Sequence, residues 1–255
     1  MALADKNAVV SSKTTPKSSD QMSDVKSRLF AAIDIGDNDR VFLILKKAEE
    51  NEQTIFAENS VGALVEATNG PDGVTPLFNA CKHGNIEVAR LLLRAGAQPT
   101  RETRSGGFTP LWTAAQRGKA RCVELMLQQR GVLVNKVSTD GRTPLYVACE
   151  SGSVDCVQLL LAAKADINRR RDDRSTPLIV AAVYGHSGVV ELLLGAGAKL
   201  KPKDEDGTAL DNARKQAGAG DRTRCIELLE AAWRARAKDE VADEGQAAED
   251  DVEVD

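Results

Sequence analysis

Long apolar runs are missing from this 255-residue chain: it contains no stretch of 18 or more apolar residues, so no segment reads as a transmembrane helix. Aromatic side chains are scarce, with five Phe, two Tyr and two Trp, and any core must be built mainly from aliphatic residues. Histidine occurs only at positions 83 and 186. None of the five cysteines forms a CxxC pair, which leaves no recognisable zinc site. The first 24 residues hold neither a secretory apolar block nor the Arg-rich, acid-poor composition of a transit peptide, and read as a disordered leader of a cytoplasmic or nuclear protein.

Charge is divided unevenly along the chain. Residues 238–255 carry nine acids and one lysine, a net of −8, which leaves +4 on everything before them out of the overall −4. A tail so acidic and free of aromatics repels itself and reads as disordered.

What the chain has in quantity is repetition. "TPLFNACKHGN" from Thr75 returns as "TPLWTAAQRGK" from Thr109, "TPLYVACESGS" from Thr143 and "TPLIVAAVYGH" from Thr176, with a weaker "TALDNARKQAG" from Thr208. The starts are 34, 34, 33 and 32 residues apart, the mark of a repeat array and not of one compact core. Each copy predicts a short helix: the threonine caps its start, the proline suits its first turn, and a glycine such as Gly84 stops it. About eight residues are too few for a helix to persist alone in water. Ile86, Val88, Leu91, Leu92 and Leu93 supply the apolar stripe of a second helix, so every copy is a helix pair that needs neighbours.

Position within the repeat also explains the cysteines. Cys81 and Cys149 take the second place of the Ala114-Ala115 and Ala181-Ala182 pairs, while Cys122, Cys156 and Cys225 fall where Val88 and Val189 stand in second helices. All five read as small buried residues in a reducing compartment.

The full unit, "DGVTPLFNACKHGNIEVARLLLRAGA" over residues 72–97, closely resembles the ankyrin repeat. The resemblance covers roughly residues 71–235. It implies an all-α solenoid of stacked antiparallel helix pairs, with β-turn or hairpin fingers along one edge, a concave surface beside them and disordered termini. The expected organisation is a leader at 1–24, a degenerate first repeat and connection at 25–70, repeats at 71–104, 105–138, 139–171 and 172–203, a capping repeat at 204–237 and an acidic tail at 238–255. A further helical turn is expected near Ala63 to Glu66, and Trp233 is expected to cover the last apolar edge. Two departures from the template stand out. Arg174 replaces the turn glycine seen as Gly73, Gly107 and Gly141, which predicts an altered finger, and Lys164 replaces a helix-ending glycine.

No catalytic constellation emerges. "LLLGAGAKL" at 192–200 imitates a phosphate loop but follows a helix and lacks the required spacing. The cysteines are assigned to packing, and no nucleophile is placed beside either histidine. The chain therefore reads as a non-enzyme with no cofactor and no metal.

Binding remains. Where the resemblance implies histidine after Thr-Pro-Leu, this chain carries Phe78, Trp112, Tyr146 and Ile179. Two readings stay open: an inter-repeat packing ladder, or exposed aromatic anchors for a partner. Alignment of the first helices places Asn79, Gln116, Arg117, Glu150, Val180 and Tyr184 outward on the concave side. The fingers add Arg101, Arg104, Arg169, Arg170 and Arg171, suited to pairing with carboxylates. The expected partner is one or more proteins with an acidic patch or segment, bound by a chain that is a monomer outside its complex. Nucleic acid and membrane are not expected ligands, since the recognised nucleic-acid motifs are absent. Adaptor, inhibitor and assembly chaperone are the roles considered, with a structural place in a cytoskeletal or flagellar assembly as the alternative and a nucleic-acid-associated regulator ranked behind it. The resemblance also makes Asn168, after Leu160 and Asp166-Ile167, a candidate for asparaginyl hydroxylation, set against a structural role in its hairpin.

Overall fold

A computed structural model describes residues 18–51, 61–215 and 221–250, with side chains placed for 23–50, 61–215 and 221–237. The described residues form thirteen helices and no strand. Two amino-terminal helices, α1 (Ser18–Ile35) and α2 (Asn38–Asn51), lead through the single turn α3 (Val61–Val65) into the array. Helix pairs follow as α4 (Pro76–His83) with α5 (Ile86–Arg94), α6 (Pro110–Gln116) with α7 (Ala120–Leu127), α8 (Pro144–Glu150) with α9 (Val154–Ala162), and α10 (Pro177–Tyr184) with α11 (Ser187–Gly195). Helices α12 (Ala209–Lys215) and α13 (Asp221–Asp250) close the stack.

Each first helix begins as the Thr-Pro step dictates. The hydroxyls of Thr75, Thr109, Thr143 and Thr176 accept from the backbone N–H of Phe78, Trp112, Tyr146 and Ile179 at 3.1–3.3 Å. Thr208 lacks the proline and uses a reciprocal cap: its hydroxyl accepts from Asp211 N–H at 3.2 Å, while the Asp211 carboxylate accepts from Thr208 N–H at 2.8 Å. Gly84 ends α4 at φ 81°, in the left-handed region where glycine escapes the Cβ penalty.

One continuous core runs the length of the stack, from Leu29, Ile33 and Val41 through Leu77, Leu111, Leu145 and Leu178 to Cys225 and Leu229. The first helices pack more closely on one another than the second helices do, because Ala114-Ala115, Ala148-Cys149 and Ala181-Ala182 let their backbones approach. A stack tighter on one side curves toward it, which puts the first helices on the concave face. All five cysteines are buried with free thiols.

One expectation changes, and three further features bear on the sequence reading. Arg174 keeps the finger geometry it was expected to alter: it takes φ 65°, and its N–H donates to the Arg171 carbonyl at 3.0 Å, as Gly141 donates to Ser138 at 2.9 Å. Lys164 likewise adopts φ 65° at the end of its helix. The neighbouring hydrogen bonds hold both residues in a conformation that costs a non-glycine residue about 1 kcal/mol or more. Helix α1 already starts at Ser18, inside the segment expected to be leader, while the rest of that leader lies outside the described residues. Helix α13 runs into the acidic stretch as far as Asp250, in keeping with the helix-favouring Ala, Glu and Lys there; residues 251–255 lie outside the described residues.

Candidate partner-binding surface

The side chain after each Thr-Pro-Leu points along the stack into the next repeat. Phe78, Trp112, Tyr146 and Ile179 are 9, 3, 6 and 2 % exposed. Trp112 lies 4.2 Å from Phe108 between ring centroids, its indole N–H donates to the Arg142 carbonyl at 3.2 Å, and the Arg142 guanidinium sits 5.4 Å over its ring. Tyr146 shares a 2.9 Å hydrogen bond with the Ser175 hydroxyl, and burial pushes its phenol up despite that bond. Of the two readings left open for this row, the structure shows the packing one and not exposed anchors: Phe78, Trp112 and Tyr146 are buried, and the Trp112 indole N–H and the Tyr146 hydroxyl find their hydrogen bonds in the next repeat.

Asn79 and Val180, expected to point outward, are also buried. The Asn79 amide donates to the Asp34 carboxylate of α1, and His83 Nε2 lies 3.3 Å from the same carboxylate. With the Asn85 amide donating to the Ile33 carbonyl at 2.8 Å, these contacts fasten the first repeat to α1. Glu150 is half-buried and accepts from Arg142 at 3.0 Å, so it too is occupied within the chain. Nothing in the sequence singled out Asp34, because its partners lie 45 and 49 positions away.

What remains open on the concave side is the last turn of each first helix: Lys82 and His83, Gln116 and Arg117, Ser151, then Val183 and Tyr184. Tyr184 is 52 % exposed and stacks on His186, with 6.1 Å between ring centroids and planes 10° apart. His186 in turn donates from Nε2 to the Glu150 carbonyl at 3.0 Å. That ring occupies the space beside Gly152, where a Cβ would fall 2.6 Å from it and where φ is 70°. Gly152 therefore serves two ends, the left-handed turn and the seat of the histidine that backs Tyr184.

The fingers form a continuous edge, tied one to the next by Arg104 N–H to the Asp72 carbonyl at 2.7 Å, Thr139 N–H to the Gly106 carbonyl at 3.0 Å and Arg171 Nε to the Asp140 carbonyl at 3.1 Å. Several finger cations, among them the expected partner-binding Arg171, are engaged within this edge. Arg171 pairs with Asp173 at 2.7 Å, Lys136 with Glu102 at 2.9 Å, and Arg142 with Asp140 at 2.6 Å. Arg101 lies 3.5 Å from Glu66 Oε2 without hydrogen-bond geometry. Arg104, Arg169 and Arg170 are exposed and have no side-chain partner among the described residues. Burial works against ionisation of Asp140 and Asp173, yet the hydroxyls of Ser138 and Ser175 and the guanidiniums of Arg142 and Arg171 hold both carboxyls below the ordinary range.

Asn168 belongs to a structural ladder. Its side-chain carbonyl accepts from Lys199 N–H at 2.9 Å, and Asn135 accepts in the same way from Asp166 N–H at 2.8 Å one repeat earlier. Burial raises Cys156 and Cys225 to about 11, and in the hydrogen-bonded Cys81–Cys122 pair that bond and burial push Cys81 up, while the same bond and the nearby Lys119 and Arg121 lower Cys122. Among the described residues, no helix is long and apolar enough to cross a membrane.

The family model for ankyrin repeats matches this chain in three copies, over residues 29–138, 100–171 and 130–204. No curated protein matches it.

Proposed function

The chain belongs to the ankyrin-repeat family, and from that premise we propose that it is a non-enzymatic module gripping a partner protein with the open ends of its first helices and its free fingertip cations. The supporting observation is the row Lys82, Gln116, Arg117, Ser151, Val183 and Tyr184, accessible on the concave side at one repeat spacing above a ladder already filled by packing. Side chains repeated at one spacing along a packed, curved face give a partner many small contacts in fixed register.

The partner carries an acidic patch opposite one end of the row and an apolar one opposite the other. Lys82, Arg117, Arg104, Arg169 and Arg170 have no carboxylate partner among the described residues, whereas Val183 and Tyr184 present apolar surface. Such a surface suits an adaptor, inhibitor or assembly chaperone that is a monomer outside its complex.

Site-directed photocrosslinking tests this reading. A benzophenone side chain at position 117 or 184 is expected to trap one defined protein in native lysate, while the same group at the convex positions 90 or 121 traps none. Crosslinks confined to the convex positions overturn it.

A further inference from the structure

The first finger, residues 69–74, opens with the one Asn-Gly step in the sequence, Asn69-Gly70. Both residues are exposed. The finger is closed by a single antiparallel bridge, in which Asn69 N–H donates to the Val74 carbonyl at 2.8 Å and Val74 N–H donates to the Asn69 carbonyl at 3.2 Å. Those bonds engage the backbone of Asn69 alone. Neither the Asn69 carboxamide nor the Gly70 N–H has a hydrogen-bond partner among the described residues. Gly70 sits at φ 69°, and a Cβ placed on it would meet no atom within 4 Å. Asparagines in later repeats are held differently. The Asn135 side chain accepts from Asp166 N–H at 2.8 Å, and the N–H that follows it, on Lys136, donates to the Leu133 carbonyl at 3.1 Å. The Asn168 side chain accepts from Lys199 N–H at 2.9 Å, and the following Arg169 N–H donates to the Asp166 carbonyl at 3.3 Å.

We infer that Asn69 is a site of spontaneous deamidation, through which the first finger gains a carboxylate with water as the only co-reactant. The Gly70 backbone nitrogen, giving its proton to solvent base, attacks Cγ of the Asn69 carboxamide. A C–N bond forms to close a cyclic imide, and the side-chain nitrogen leaves as ammonia. Water then opens the imide at either carbonyl, which leaves an ordinary aspartyl linkage or an isoaspartyl one whose main chain runs through the former side chain. The sum is carboxamide plus water to carboxylate plus ammonium, with nothing oxidised or reduced. Glycine in the second place leaves the attacking nitrogen unshielded by any side chain. At Asn135 and Asn168 the same attack must first open two hydrogen bonds. Asn69 lines a cavity of about 300 Å³ together with Asp34, Asp72 and Lys82, between α1, the finger and α4. The new carboxylate adds negative charge around Lys82, the first cation of the concave row, and weakens the hold on an acidic partner there. That consequence rests on the function proposed above, whereas the modification does not.

Incubation of the full chain in heavy-oxygen water at mildly alkaline pH, followed by peptide mapping in a mass spectrometer, tests the assignment. The peptide containing position 69 is expected to lose ammonia and take up a heavy oxygen more than about tenfold faster than those containing positions 135 and 168, the margin set by the two hydrogen bonds that must open there. An isoaspartyl methyltransferase with S-adenosylmethionine is expected to label the incubated chain and not the fresh one. Asn69→Gln, whose longer side chain closes the imide ring far more slowly, is expected to abolish both signals while melting with the wild type, because the side chain it replaces makes no hydrogen bond. The inference is overturned if position 69 stays intact, if all three positions convert at one rate, or if the Asn69→Gln chain is labelled like the wild type. Absence of the crosslinks at positions 117 and 184 would remove the proposed function and leave this site standing.

Discussion

Two rows of side chains lie on the same first helices, only a turn apart, and they have opposite fates. Phe78, Trp112, Tyr146 and Ile179 are buried between repeats, whereas His83, Arg117, Ser151 and Tyr184 at the helix ends are exposed. Residue type does not separate them, since a tyrosine stands in each row. Position along the helix does: a side chain at the start of the helix leans toward the neighbouring repeat, while one in the last turn clears it. An aromatic at the first position is packed between repeats, and one at the second stays exposed.

The largest effect that would break this contrast is on stability. Trp112→Ala removes the ring between Phe108 and Arg142 and is expected to destabilise the fold by about 3–5 kcal/mol, the usual cost of emptying a buried aromatic site. Urea unfolding reads it directly, and a loss below about 1 kcal/mol would mean that the row is not packing.

Acid sharpens the contrast at the fingers. Asp140 and Asp173 are held below the ordinary carboxylate range in the folded chain, so the stability they add is present above the unfolded value near 4 and is lost as pH falls through their folded values. The melting temperature is therefore expected to fall below about pH 4, and Asp140→Asn to flatten part of that decline. A wild-type profile that is no steeper than that of the variant would contradict the finger clamps.

The smallest effect concerns the backbone. Arg174→Gly relieves a left-handed non-glycine residue and is expected to raise stability by about 0.5–1 kcal/mol, in thermal melts with an unchanged finger. A decrease would show that the arginine side chain contributes more than its strain costs.

Much of the fold was legible because the repeat announces itself: Thr-Pro caps, helix-ending glycines and the small residues of the first helices each have a local physical meaning and recur in register. The site was legible only in part. Gln116, Arg117 and Tyr184 stand where alignment placed them, but Asn79, Glu150 and Arg171 are taken up by Asp34, Arg142 and Asp173, and such pairings depend on where neighbouring elements bring their carboxylates. Arg174 and Lys164 mislead for a related reason. The sequence marks the missing glycine, whereas the hydrogen bonds that hold a side-chain-bearing residue at positive φ exist only once the finger is closed.

Affinity capture from native lysate, comparing wild type with the Arg117→Ala, Tyr184→Ala double variant, tests the central claim most directly. Both residues are exposed, so the variant should unfold within about 0.5 kcal/mol of wild type. The account predicts that it loses a defined partner protein while keeping its fold. An unchanged set of captured proteins would contradict it and leave the open ends of the first helices as ordinary solvated surface.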